Sequence, residues 1–248
     1  MGLLDYTDEL IETVKAWDGS VAAPSARNRK INRLQVFKNP VIENVFATSH
    51  PILPGVWFGP FIAYGVYASL TSANHGILAG LALFVAGVLV WTLMEYSLHR
   101  WAFHWPPNMD SLDSKLRLFM LHGYHHEFPN DKWRLVAPPV MSWPIGVLTA
   151  GVYYLVAGPA FFWPLFAGHL AGYLAYDWTH YATHHFKPMT PFGKMVRRAH
   201  MVHHFKVFHL NMGISSPLWD FILGSYAWSD DAVKDAVAEA KAFEAAQG

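Results

Sequence analysis

The chain has 248 residues, of which 53% are apolar and 16% aromatic, while only 15% carry a charge. Soluble domains usually contain about 25% charged residues. The formal net charge is zero, so no nucleic-acid partner is expected. Because there is no cysteine, disulfides, thiolate metal sites and cysteine nucleophiles are excluded.

Residues 1–50 are predicted to form an amphipathic helix followed by a basic strap beside a membrane. The helix is predicted over residues 3–17, where five apolar side chains share one face: Leu3, Leu10, Ile11, Val14 and Trp17. The basic residues that follow are Arg27, Arg29, Lys30 and Arg33. Such a segment is attracted to anionic lipid, although an ordinary solvated linker fits the pattern as well.

Two long segments contain no Asp, Glu, Lys or Arg. One lies between Glu43 and Glu95 and the other between Arg134 and Asp177. Each is about twice the ~20 residues that cross a bilayer as a helix. Each also has a break near its middle, at residues 71–76 and 157–159. We therefore predict an all-α integral membrane protein whose membrane domain covers residues 51–228. Its four transmembrane helices form two hairpins, at about 51–71, 77–98, 136–156 and 160–179.

The cations indicate which side of the membrane each segment faces. All eighteen Lys and Arg residues lie before the first span, in the 99–134 connection or after residue 185, and the two hairpin tips have none. Four crossings place those three segments on one side. By the positive-inside rule this side is cytoplasmic, where we expect a helical cap and the active site.

Aromatic residues cluster where the second and fourth spans are predicted to leave the bilayer. The cluster consists of Trp91, Tyr96, Trp101 and Trp105, together with Tyr173, Tyr176 and Trp178. Tryptophan and tyrosine are enriched at membrane interfaces, so these residues are predicted to be anchors.

Residues 229–248 are predicted to form an amphipathic C-terminal helix. Ser229 is a suitable cap, and two aspartates suit the first turn. The apolar stripe consists of Val233, Ala236, Val237, Ala240 and Phe243. We predict that this helix serves packing or peripheral contact.

Eleven of the fifteen histidines form four clusters, all on the predicted cytoplasmic side. They are His99, His104, His122, His125, His126, His180, His184, His185, His200, His203 and His204. Imidazole is the commonest nitrogen ligand of iron, zinc and copper. Since one metal ion takes four to six ligands, eleven candidates predict a di-metal site.

The spacing within each cluster determines whether its ligands can converge. The clusters that begin at His122 and at His200 have histidines at i, i+3 and i+4, which places them on one helical face. The cluster that begins at His180 is similar, at i, i+4 and i+5. His99 and His104 are five residues apart, about 140° around an α-helix, so they are predicted to straddle a helix end.

Two carboxylates lie next to the clusters inside apolar helices. Glu95 is one turn before His99, and Asp177 is three residues before His180. Metal-bound histidines usually give their second N–H to a carboxylate or carbonyl, so both acids are predicted to orient ligands. His169 lies deeper in the fourth span, where a core hydrogen bond is the expected role.

Three stretches resemble the fatty acid 2-hydroxylases, within the fatty acid hydroxylase and sterol desaturase superfamily. They are residues 121–139 (LHGYHHEFPNDKWRLVAPP), residues 173–180 (YLAYDWTH), and the histidines of 200–204 followed by residues 213–220 (GISSPLWD). The histidine pattern fits the whole superfamily, whereas the run from His122 to Pro139 favours the 2-hydroxylases. The resemblance covers about residues 38–226.

The resemblance implies oxygen-dependent hydroxylation at carbon 2 of a long acyl chain. It implies that the eleven histidines hold two metal ions, with iron expected and zinc possible in the same cage. The substrate would be a membrane lipid, either a sphingolipid (ceramide) or a free fatty acid. Dioxygen and an external electron donor would be required.

Eukaryotic members of this family often carry a haem domain of the cytochrome b5 type. The sequence has no His-Pro-Gly-Gly haem motif, so we expect a separate donor of the cytochrome b5 or ferredoxin type. We also expect a bacterial inner-membrane location, or the endoplasmic reticulum if the source is eukaryotic.

Two alternatives remain open at this point. Another oxidase of the superfamily, such as a desaturase, a sterol oxidase or a carotenoid hydroxylase, would use the same histidines. A metal transporter belongs to a different class, but transporters place their ligands near the bilayer midplane rather than at helix ends on one side.

Overall fold

The computed structural model describes residues 5–18, 33–227 and 229–247, with side chains up to residue 238. The predicted positions that lie outside it are Leu3, Arg27, Arg29, Lys30, Ala240 and Phe243. The described residues are mostly helical, and none of them belongs to a strand.

Ten helices follow one another along the chain. The first six are α1 (Asp8–Ala16), α2 (Pro40–Ile42), α3 (Leu53–Leu70), α4 (Ile77–Ser97), α5 (Leu112–Leu118) and α6 (Tyr124–Glu127). The others are α7 (Pro139–His185), α8 (Pro191–Phe205), α9 (Leu218–Leu223) and α10 (Asp230–Gln247). Three π-helical turns extend α2, α4 and α5, at Glu43–Ala47, Leu98–Phe103 and Phe119–Gly123.

Helix α7 is interrupted at the predicted break. Gly158 has φ 69° and ψ 167°, a backbone conformation that favours glycine, and Pro159 follows it. The two halves pack against each other, since the Tyr153 hydroxyl lies 3.0 Å from Nδ1 of His169 and the Tyr153 ring lies 6.1 Å from that of Phe166. His169 therefore makes a core hydrogen bond, as expected from the sequence.

Two helices among the described residues are long and apolar enough to cross a membrane. They are Ile77–Phe103 and Pro139–His185. Only 17% and 11% of their most apolar windows are buried, whereas a core helix of a soluble protein is mostly buried. Leu78, Leu155 and Val156 are each more than four-fifths exposed. Apolar faces left uncovered in this way are expected of a membrane protein.

Helix α3, at the first predicted span, does not reach the same apolarity. Its 18 residues include two prolines, three glycines and two tyrosines, which lower its hydropathy. The structure thus identifies two candidate membrane helices, one of which contains two of the predicted spans.

The contacts divide the chain into two units. The first unit comprises residues 1–5, 37–95 and 132–181, and the second comprises residues 6–36, 96–131 and 182–248. The core of the first unit consists of Phe58, Trp91, Tyr153, Phe166, Leu170, Tyr173 and Leu174. Its helices approach closely, because a Cβ added at Gly168 would lie 1.9 Å from the carbonyl oxygen of Phe84.

Four of the predicted interfacial anchors are wrong. Trp91, Tyr96 and Tyr173 are buried, and the Trp91 and Tyr173 rings pack 5.0 Å apart. Tyr176 is only partly exposed and packs against the same core. Packing against neighbouring helices decides these positions, which spacing along the chain does not reveal. Trp101, Trp105 and Trp178 are exposed, as anchors would be.

The second unit contains both amphipathic helices. Helix α1 begins at Asp8, where Thr7 caps it, rather than at residue 3 as predicted. Helix α10 begins after Ser229, whose hydroxyl accepts the Ala232 N–H as predicted. Val233 and Ala236 of α10 are buried together with Val202 of α8, so this helix packs against the protein.

Candidate metal centre

Histidines from four segments of the second unit lie together in its interior. His99 is in the π-helical turn after α4, and His104 follows that turn. The π-helical turn after α5 carries His122 and leads into α6. The remaining histidines of the centre come from α6, from the end of α7 and from α8: His125, His126, His184, His200, His203 and His204. Thr190 and Pro191 begin α8, with the Thr190 side chain accepting the Gly193 N–H.

The first group contains five histidines, whose ligand nitrogens all lie within 4.8 Å of one another. Its members are His99, His104, His122, His126 and His203. Nε2 of His99 lies 3.1 Å from that of His122 and 3.2 Å from that of His104. Nε2 of His122 lies 2.9 Å from that of His126. Five imidazoles therefore point their nitrogens at one small volume.

The second group contains four histidines of the same unit, with the same convergence. Its members are His125, His184, His200 and His204. Nε2 of His200 lies 2.8 Å from that of His184 and 3.1 Å from that of His204. The two groups adjoin, since the His126 and His204 rings stack 4.2 Å apart. Their arrangement can hold two neighbouring metal ions.

The two i, i+3, i+4 clusters are shared between the groups. His122 and His126 belong to the first group, but His125 lies between them in sequence and belongs to the second. In α8 the allocation is reversed, with His200 and His204 in the second group and His203 in the first. Spacing predicted one common face, but it did not predict that neighbouring histidines serve different groups.

His99 and His104 do not straddle a helix end in the predicted way. Their ring centroids are 4.9 Å apart, and both belong to the first group. The prediction assumed α-helical winding, whereas residues 98–103 form a π-helical turn. Because π-helices bond residue i to i+5, such a turn brings residues five apart to the same side.

The nitrogen separations fit a metal better than hydrogen bonds. Ligands about 2.1 Å from one octahedral ion lie about 3.0 Å from each other, close to the observed separations. Nε2 of His203 is buried and has no hydrogen-bond partner. Buried polar atoms are rarely left unpaired, so this nitrogen is suited to a metal ligand.

The local environment keeps these imidazoles neutral. Burial lowers the pKa of His104, His122, His203 and His204 below the usual value, and the neighbouring histidines lower it further. A metal ligand must be unprotonated, so the protein holds these side chains in the coordinating form.

Two backbone carbonyls fix the ring orientation of two ligands. Nδ1 of His99 lies 2.6 Å from the Met212 carbonyl oxygen, and Nδ1 of His203 lies 2.9 Å from that of Leu210. A carbonyl can only accept, so both Nδ1 atoms carry the proton and both Nε2 atoms face the first group unprotonated. Sequence analysis missed these partners, since a backbone carbonyl leaves no side-chain signature.

The two predicted carboxylates belong to the first unit. Glu95 and Asp177 are buried, at 4% and 1% exposure. The orienting partner of His99 is the Met212 carbonyl rather than Glu95. His180 is also in the first unit, one turn before His184 on α7, whereas His185 joins neither group.

Known proteins are similar to this chain over most of its length. A family model described as fatty acid hydroxylase matches residues 84–225. The ceramide very long chain fatty acid hydroxylase of Saccharomyces cerevisiae is 38% identical over 76% of this chain and 48% of its own length. A dihydroceramide fatty acyl 2-hydroxylase of Arabidopsis thaliana is 37% identical over 70% of this chain and 71% of its own. The chain thus spans about half the length of the yeast relative.

One solved structure is also similar. It is of full-length scs7p, in which only the hydroxylase domain is visible, with a TM-score of 0.71 and 32% sequence identity. The match covers 77% of this chain and 71% of that chain. On the family match and the identity to these relatives, the chain belongs to the fatty acid hydroxylase family.

Proposed function

We propose that this protein is a membrane di-iron hydroxylase that adds a hydroxyl group at carbon 2 of a long fatty acyl chain. The substrate is a sphingolipid, such as a ceramide, or a free fatty acid. The observation that supports this best is the pair of adjoining imidazole groups. The named activities of the relatives are fatty acyl 2-hydroxylation and ceramide fatty acid hydroxylation.

The first ion would be held by the first group and the second by His125, His184, His200 and His204. We propose His180 as a further ligand, and we propose that Glu95, Asp177 and His185 support the ligands. Iron bound in this cage supplies the activation of dioxygen for insertion into a C–H bond. The imidazoles themselves exclude water, because those of His99, His203 and His204 are at most 1% exposed.

A separate donor of the cytochrome b5 or ferredoxin type supplies two electrons per turnover. One oxygen atom of dioxygen then enters the acyl chain and the other leaves as water. Two units of reducing equivalent must come from outside the chain, since the sequence has no haem motif of the His-Pro-Gly-Gly type.

We further propose four transmembrane spans with the centre in a cytoplasmic cap. Contacts within the first unit support this topology. The Trp178 indole N–H donates to the Pro51 carbonyl at 3.0 Å, and the Ser49 N–H donates to the Trp133 carbonyl at 2.7 Å. Arg134 also pairs with Glu43. The start of the first span therefore lies near the start of the third and the end of the fourth, as required if these ends face one side.

The one-sided cations support a cytoplasmic location for that side. A bacterial inner membrane is the proposed location, with the endoplasmic reticulum as the eukaryotic equivalent. Adding a reporter at residue 73, in the first hairpin tip, and another after residue 248 tests the topology. The two reporters should report opposite sides of the membrane, and the same side for both would contradict four crossings.

The activity is tested by mass spectrometry of lipid acyl chains. Cells that express the protein and are grown in air should contain saturated chains that gain one oxygen, placed at carbon 2 by fragmentation. Cells that express His203→Ala serve as the control and should lack this product. A loss of two hydrogens, or an altered sterol or carotenoid, would replace the 2-hydroxylase assignment with another oxidase of the superfamily.

A further inference from the structure

The segment Leu210–Gly213, between α8 and α9, contacts the first metal group through its backbone. The carbonyls of Leu210 and Met212 accept the Nδ1 protons of His203 and His99. These two histidines come from different elements, α8 and the π-helical turn after α4. One short segment therefore orients ligands from two elements that must converge.

Asn211 lies between these two carbonyls in a left-handed conformation, with φ 57°. This conformation is uncommon for residues other than glycine, and asparagine is among those that tolerate it. The Asn211 backbone N–H donates to the Ser225 carbonyl at 2.8 Å, and its Oδ1 accepts the Ala227 N–H at 2.9 Å. The turn is thus fixed from both the backbone and the side chain.

The carboxylate of Asp220 holds the other end of the segment. Asp220 is fully buried, and it accepts the N–H groups of Met212 at 2.8 Å and Gly213 at 2.6 Å. It also accepts the Ser225 hydroxyl at 2.6 Å. A Cβ at Gly213 would lie 2.9 Å from Oδ2 of Asp220, so glycine allows this close approach. Hydrogen bonds to a charged acceptor are about twice as strong as neutral ones.

A directed chain of hydrogen bonds ends on the same carboxylate. Arg100 donates to the Tyr96 hydroxyl, which lies 2.8 Å from Oγ of Ser225. Since the Ser225 proton goes to Asp220, the Tyr96 proton goes to Ser225. The chain leaves Asp220 as the one acceptor that needs no proton, which suits an ionised carboxylate.

We propose that Asp220 is a positioning residue for the first metal group and not for the second. It fixes the Met212 and Gly213 backbone, the Met212 carbonyl fixes His99, and the Leu210 carbonyl across Asn211 fixes His203. No such contact is printed by the geometry for Nδ1 of His204, a ligand of the second group, which is buried without a hydrogen-bond partner. The proposal rests on the metal binding proposed above.

The test is the number and affinity of bound ions in the purified full chain, with Zn²⁺ as a redox-inert probe. Wild-type protein should bind about two ions. Asp220→Asn replaces one acceptor oxygen by a donor, so it should weaken one site by about 10- to 100-fold, the usual effect of losing a partner that orients a ligand. Asp230→Asn is the matched control, because Asp230 is exposed in the same unit and pairs with Arg198. It should bind two ions with wild-type affinity.

Double variants identify which site is affected. His200→Ala removes a ligand of the second group, so Asp220→Asn combined with it should leave almost no tightly bound ion. Combined with His203→Ala, which already weakens the first group, Asp220→Asn should cause little further loss. Two ions at wild-type affinity in Asp220→Asn, or equal loss from both sites, would overturn the proposal.

Two results separate this proposal from others. If Asp220→Asn does not fold, Ser225→Ala removes one hydrogen bond from Asp220 and should weaken the same site to a smaller degree; wild-type affinity there would overturn the proposal. Wild-type protein that binds no ion would overturn the metal centre itself and this role with it.

Discussion

The sharing of α8 between the two groups predicts a pattern of metal loss that spacing alone does not. His200→Ala and His203→Ala remove residues three apart on one helix, but the histidines belong to different groups. Each single variant should keep about one of two ions, and the double variant should keep almost none. His203→Ala combined with His126→Ala removes two ligands of the same group and should still keep about one.

The size of each effect follows from the ligand count and the surroundings. His203 is one of five convergent nitrogens, and its Nε2 has no other partner. Loss of an orienting partner alone weakens metal binding about 10- to 100-fold, so loss of a ligand should exceed about 100-fold. His203→Ala also leaves the buried Leu210 carbonyl without its donor, which costs about 1–3 kcal/mol of folding stability.

The assay is metal content per chain after dialysis against a weak chelator, together with hydroxylated lipid from cells that express each variant. All of these variants should lose the hydroxylated product, because both ions are required. The reasoning would be refuted if His126→Ala with His203→Ala lost both ions, or if the His200→Ala and His203→Ala double variant kept one.

Three further predictions concern stability. Gly168→Ala should lower the unfolding midpoint, since overpacking against the Phe84 carbonyl costs about 1–3 kcal/mol, whereas Gly151→Ala, with nothing within 4 Å, should leave it unchanged or higher. Metal-free protein should lose stability as pH falls below 6.5, the ordinary histidine pKa, because the unfolded chain then binds protons that buried His122 and His204 do not; thermal scans from pH 7.5 to 5 measure this. Chelation at neutral pH should lower the midpoint, by about 2.7 kcal/mol for ions held at 100 times their dissociation constant.

Much of the layout could be predicted because charge and glycine leave strong signals in the sequence. The interruption of α7 occurs at Gly158, inside the predicted break, because glycine accepts a positive φ and proline cannot continue the helix. The histidine spacing likewise predicted that four segments meet. The four crossings and the cytoplasmic side stay predictions.

The finer geometry of the site could not be predicted for identifiable reasons. The closeness of His99 to His104 depends on a π-helical turn, which has no known signature in this sequence. The orientation of His99 and His203 depends on carbonyls of Met212 and Leu210, which any residue could supply. The wrong anchors, Trp91 among them, show that aromatic spacing does not separate lipid contact from helix packing.

The shared allocation of ligands also links the two groups mechanically. His203 and His204 are adjacent in α8 but serve different groups, so a rotation of this helix that improves one group displaces a ligand of the other. Such an element needs support on the side away from the metals. Val202 of α8 supplies it, because it is buried with Val233 and Ala236 of α10. The amphipathic C-terminal helix is therefore best understood as part of the structure that keeps both groups in register, which accounts for a conserved-looking apolar stripe on a helix that carries no ligand.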